Sequence, residues 1–138
     1  MSESIAETLH NVQLDSSTEG IKVTQFSRRI ADQMILYEVL RYPDRCLFVW
    51  IGTNTGDLSN LAMTMPSLGS KESLATTLFG TDLDEYSLSL SRKIARRFGG
   101  KKQVYVSLNL PNFGDSEMLF GQIEQALFDH IRENQQNY

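Results

Sequence analysis

The stretch "CLFVWIG", Cys46–Gly52, contains no charged residue, and its large side chains do not alternate with polar ones. Its aromatic and β-branched content marks a strand. Successive strand side chains point to opposite faces, so Cys46, Phe48 and Trp50 share one face while Leu47, Val49 and Ile51 share the other. Both faces are apolar, and each needs a cover.

Upstream, "IKVTQFSRRI" (21–30) and "MILYEVLRY" (34–42) read as two more strands. They are separated by a break at Ala31, Asp32 and Gln33, and Pro43 with Asp44 marks the next turn, because proline presets φ and aspartate bonds back to its own backbone. The three runs predict a meander. Downstream, "GTNTGD" (52–57) reads as a hairpin loop whose glycines permit positive φ. "LSNLAMTM" (58–65) and "SLATTLFG" (73–80) give a fourth and a fifth strand around an irregular connection at Pro66 and Gly69.

The period then changes. Between residues 83 and 98, Leu83, Tyr86, Leu90, Ile94 and Phe98 recur at three or four and fall on one helical face. Asp82, Asp84 and Glu85 stand at the start, Arg96 and Arg97 in the last turn, and Gly99 just beyond, the charge order and end residue that the helix dipole and a left-handed cap favour. "QVYVSLNL" (103–110) is a sixth strand. Asp115 or Ser116 can cap a closing helix that aligns Leu119, Phe120, Ile123, Ala126, Leu127 and Ile131. Residues 1–20 are polar, close with Gly20, and read as a flexible tail outside a single domain over 21–138.

Five strands, a helix, a strand and a helix predict an α+β domain with a six-stranded, mainly antiparallel sheet. Two helices cover about one face of such a sheet, so the apolar face of Phe48 and Trp50 is left for something else. A partner with a similar bare sheet would complete a sandwich-like dimer. The alternative is a sheet that curls on itself.

The 138 residues fit one domain, and the net charge of −4 argues against a surface built for nucleic acid. A single cysteine, Cys46, cannot form an intramolecular disulfide and reads as a small buried hydrophobe in a reducing compartment. With no apolar run long enough to cross a bilayer and no signal-like leader, the reading is an intracellular protein, not a membrane one.

No catalytic, cofactor or metal constellation emerges. "FGGKKQV" resembles a phosphate loop, but Ala95 stands where that motif needs its first glycine, Lys102 follows Lys101 where it needs Ser or Thr, and the segment runs from helix to strand. His10, His130 and Cys46 are not spaced as metal ligands, and no Gly-x-Ser-x-Gly elbow would present a nucleophile to His130. His130 reads as a surface or partly packed residue.

Six of the 13 cations lie within 92–102: Arg92, Lys93, Arg96, Arg97, Lys101 and Lys102. At 100° per residue Arg92 and Arg96 oppose the apolar face and Lys93 and Arg97 flank it, which gives an exposed stripe. It reads either as the solvated side of a helix or as a docking surface for an acidic protein. No exposed aromatics alternate with the cations to stack bases.

Together these runs resemble the proteasome assembly chaperone 4 family. The resemblance rests on Phe26 and Ser27, "LFVWIG" (47–52), "LSNLAMTM" (58–65), "TTLFG" (76–80), "LSRKIARR" (90–97) and "KQVYVSLNL" (102–110), and spans about residues 21–134. It implies a non-enzymatic chaperone of cytoplasm and nucleus that pairs with proteasome assembly chaperone 3, contacts α-type subunit 5, helps the α-ring of the 20S proteasome assemble, and leaves before maturation. The competing reading is a homodimeric adaptor of similar fold with another client.

Overall fold

A computed structural model describes residues 20–53, 56–67, 73–80, 84–110 and 117–138. The strands are β1 (Lys22–Ile30), β2 (Gln33–Tyr42), β3 (Cys46–Gly52), β4 (Leu61–Thr64), β5 (Ala75–Phe79) and β6 (Gln103–Asn109). The helices are α1 (Asp84–Arg97) and α2 (Glu117–Glu133), and a 3-10 turn (Gln135–Asn137) follows. The expected tail, His10, Gly69, Asp82, Leu83, Asp115 and Ser116 lie outside the described residues.

The first three strands form the expected meander. Ile30 pairs with Gln33, so the first hairpin turns on two residues, Ala31 and Asp32, at φ 52° and 62°. Two consecutive positive φ values match the right-handed twist of the strands they join. The second turn closes at Arg45, φ 63°, whose carbonyl accepts the Gln103 N–H at 2.9 Å.

All six strands share one sheet, in the order β1-β2-β3-β6-β4-β5. Every pairing is antiparallel except β3 with β6, which is parallel. The chain therefore leaves β3, builds the β4–β5 pair at a distance, and returns through α1 to lay β6 into the gap. Two expectations change. β3 and β4 do not form the expected hairpin, because β4 pairs with β5 and β6 and not with β3. Nor does the sheet curl closed, since β1 and β5 stand at opposite edges.

Alternation decides burial. Leu47, Val49 and Ile51 of β3 are fully buried, as are Ile35, Tyr37 and Val39 of β2 and Val104, Val106 and Leu108 of β6. Both helices pack on this one face: Leu90 and Ile94 of α1 and Phe120, Ile123, Leu127 and Ile131 of α2 join the same core. Tyr86 and Phe120 stack between the helices at 3.8 Å. The Tyr37 hydroxyl, deep in the core, donates to the Ile123 carbonyl at 3.0 Å, and burial raises its pKa far above the usual phenol value. Gly99 and Gly100, both at φ +72°, end α1, and the Gly100 N–H bonds the Ala95 carbonyl at 2.8 Å. That satisfies a carbonyl the last helical turn leaves open.

Candidate partner-binding interface

Among the described residues, no helix lies over the opposite sheet face. Register places Val23, Gln25, Ser27 and Arg29 of β1 on that face beside Leu40, Glu38, Leu36 and Met34 of β2. Phe48 and Trp50 of β3 and Tyr105 of β6 continue it, Met63 of β4 lies opposite Tyr105, and Leu78 extends it on β5. These side chains are half-buried or exposed, with Met34 at 45% and Leu78 at 47% exposure. Phe48 and Tyr105 stack with centroids 6.3 Å apart, and the Tyr105 hydroxyl accepts from Gln103 Nε2 at 2.7 Å.

Trp50 is fixed in place. Its indole N–H donates to the Asp57 carbonyl at 2.6 Å, and its ring lies against Gly52 so closely that a Cβ there would come within 2.6 Å of Cη2. Glycine at 52 is what lets the indole lie down on the sheet. Two hollows flank the ring. One of about 310 Å³ is lined by Gln25, Ser27, Leu36, Glu38 and Trp50, and one of about 180 Å³ by Glu38, Leu40, Phe48, Trp50 and Gly56. Glu38 borders both, and among the described residues its carboxylate accepts one hydrogen bond, from Gln25 Nε2 at 3.1 Å. Among the described strand residues of this face it is the one carboxylate, and Arg29 the one cation.

Cys46 lies at the end of this face and is half-buried, not buried as expected. Desolvation raises its pKa and the nearby Asp44 adds to the shift, so the thiol stays protonated and a poor nucleophile.

Five of the six cations of the basic stretch, Arg92, Lys93, Arg96, Arg97 and Lys101, are exposed. Lys93 also reaches across to α2 and pairs with Glu124 at 2.9 Å. Lys102 turns away, and its ammonium sits over the Phe98 ring at 4.6 Å. There it lines a hollow of about 320 Å³ with Arg41, Arg45, Tyr42 and Tyr138, and its pKa is lowered by desolvation and then by Arg41. Arg41 and Arg45 were missed from sequence because they lie some 60 residues from Lys102 (102 − 41 = 61); only the parallel β3–β6 pairing joins the two regions.

His130 is partly packed, as expected. Its ring stacks on Phe26 at 3.7 Å, Phe26 stacks on Tyr37 at 4.4 Å, and Nδ1 meets the Tyr138 hydroxyl at 2.7 Å. Among the described residues no cluster of three metal-ligating side chains occurs, and no helix is long and apolar enough to cross a membrane.

Known proteins share this architecture. A family model described as proteasome assembly chaperone 4 matches residues 34–110, a span that runs from the second residue of β2 through β3, β4, β5 and α1 to the end of β6. Proteasome assembly chaperone 4 of Mus musculus is 38% identical over 92 residues, covering 67% of this chain and 72% of the relative, and the Homo sapiens protein is 37% identical over the same shares. A chain in a solved structure, described as the crystal structure of a novel chaperone complex for yeast 20S proteasome assembly, has a TM-score of 0.59 at 19% identity. The match covers 80% of this chain and 96% of that one, and the two share the fold. Through the family model and both mammalian relatives, this chain belongs to the proteasome assembly chaperone 4 family, a non-catalytic class.

Proposed function

We propose that this protein is a proteasome-assembly chaperone that works as a heterodimer. It pairs through its open sheet face with a homologue of proteasome assembly chaperone 3. The pair holds α-type subunit 5 within early α-ring intermediates of the 20S proteasome, in cytoplasm and nucleus, and departs before maturation. The observation that carries this reading is the apolar face of Leu36, Leu40, Phe48, Trp50, Met63 and Tyr105, which has no helix above it among the described residues. A stable interface covers roughly 800 Å² per partner, and a wet apolar patch of that size is unusual on a monomer. The names of the mammalian relatives support a role in proteasome assembly, and the exposed cations Arg92, Arg96, Arg97 and Lys101 supply an electrostatic means of meeting an acidic surface.

Affinity purification from the native cell tests it. Chaperone 3 and α-type subunit 5 should co-purify with the tagged chain, mature proteasomes should not, and Phe48→Asp should remove both companions. A tagged chain that brings down only itself, or a client unrelated to the proteasome, sinks the proposal and favours the homodimeric adaptor.

A further inference from the structure

The open face is not uniformly apolar. Glu38 stands inside it, with Leu36 and Leu40 two residues away along β2 and Trp50 directly opposite on β3. Gln25 is directly opposite on β1 and donates the one hydrogen bond that Glu38 accepts among the described residues. A carboxylate has about four acceptor sites, so a sheet laid over this face would strip water from most of them and put nothing in its place unless the partner brings donors.

From this geometry, and resting on the sheet-face pairing proposed above, we infer that Glu38 selects the partner: the facing sheet must carry a lysine or arginine opposite it, and a second copy of this chain is disfavoured.

A second copy cannot meet this need from its own apolar stretch. A two-fold axis that brings the two faces together lies in the plane between them. Run across the strands at Trp50, it passes over the register partner Glu38 and sets the two Glu38 carboxylates against each other. Run along β3, it sets Glu38 against β6, whose residues on this face, Gln103, Tyr105, Ser107 and Asn109, carry no charge. The one strand cation available, Arg29, is opposite Met34, four residues along β2 from Glu38, or about 13 Å at strand rise. Meeting it would require an axis that crosses the strands near Leu36 and its register partner Gly52. Phe48 and Tyr105, four residues from that line along β3 and β6, would then face past the ends of those strands, and much apolar surface would stay wet. A different chain escapes the conflict. A desolvated carboxylate facing a guanidinium or ammonium gains a charge-assisted bond, while one facing an apolar or acidic group is penalised. Such an element lowers affinity for wrong partners more than it raises affinity for the right one.

The test uses the full chain with Glu38→Gln, which keeps shape and the bond from Gln25 but removes the charge. By sedimentation, self-association of Glu38→Gln should be at least about fivefold tighter than wild type. Pairing with the chaperone 3 homologue should be at least about tenfold weaker, and Glu38→Lys should abolish it. Unchanged values in both assays for Glu38→Gln would overturn the inference. So would a wild-type homodimer that falls apart on Arg29→Gln, because self-pairing would then be charge-matched. Phe48→Asp separates the two levels: if it breaks pairing while Glu38→Gln does not, partner selection by Glu38 fails alone, and if it leaves pairing intact, the sheet face is not the interface.

Discussion

Asn60 binds both backbone groups of Leu108: its Oδ1 accepts the Leu108 N–H at 3.1 Å and its Nδ2 donates to the Leu108 carbonyl. The side chain thus stands in for a rung of the ladder just before β4 begins, and the Ser87 hydroxyl of α1 donates to the same Oδ1 at 2.5 Å. Asn60 is fully buried. Asn60→Ala would leave buried donors and an acceptor without partners, at about 1–3 kcal/mol for each group. A loss of roughly 2–4 kcal/mol is expected in urea unfolding, with Asn60→Asp no better because it cannot donate to the carbonyl. A loss below about 0.5 kcal/mol would contradict this account.

Trp50 is the only tryptophan and lies on the open face. Its emission should shift to the blue and its acrylamide quenching should fall when the chaperone 3 homologue is added. An unchanged spectrum at saturating partner would place the interface elsewhere.

Gly52→Ala would put its Cβ 2.6 Å from Cη2 and 2.8 Å from Cζ2 of Trp50. The indole has to lift, losing its bond to Asp57 and its shape against the partner. A cost of about 1–3 kcal/mol in stability is expected, together with altered emission and weaker pairing; a variant with wild-type emission would refute the close approach.

Arg92 and Arg96 point away from the core, so reversing both to Glu should leave pairing intact. Association with α-ring intermediates should slow by about tenfold or more at low salt, and its salt dependence should flatten. Stopped-flow or biolayer kinetics that match wild type at low salt would reduce this patch to a solvated helix face.

His130 has its pKa lowered from the ordinary 6.5, first by desolvation and then by Arg28, with Glu133 opposing. A group depressed in this way is neutral in the fold at pH 7, when it is neutral in the unfolded chain too. As pH falls through 6.5 the unfolded chain takes up its proton first, so stability declines until the folded-state pKa is passed. His130→Phe, which preserves the stack on Phe26, should lessen the decline between about pH 7 and pH 5. An identical slope in the variant would remove His130 as its source.

The parts of this structure readable from sequence are those set by local period. Leu47, Val49 and Ile51 against Phe48 and Trp50 separate by strand alternation alone, and Leu90 with Ile94, like Ile123 with Leu127, aligns by helical spacing. What escaped depends on which distant segments meet. The parallel pairing of β3 with β6 leaves no mark in either run, and so neither the true partner of β4 nor the hollow shared by Arg41, Arg45 and Lys102 could be read. Lys93 looks as free as Arg92 until α2 brings Glu124 beside it. The Glu38 charge was visible in "LYEVL", but its meaning depends on knowing that no described helix covers its face.

The position of β6 bears on how the chain is made. Until residues 103–109 have left the ribosome, the β1–β2–β3 meander and the β4–β5 pair have no strand to join them, and the inner edges of both, β3 and β4, offer unpaired backbone groups. β6 is the last synthesised of the described strands, so closure of this sheet is a late event, and its long-range pairings favour slow folding. A nascent chain stalled near residue 100 would carry two sticky half-sheets, and needs protection of its own before it can protect another protein.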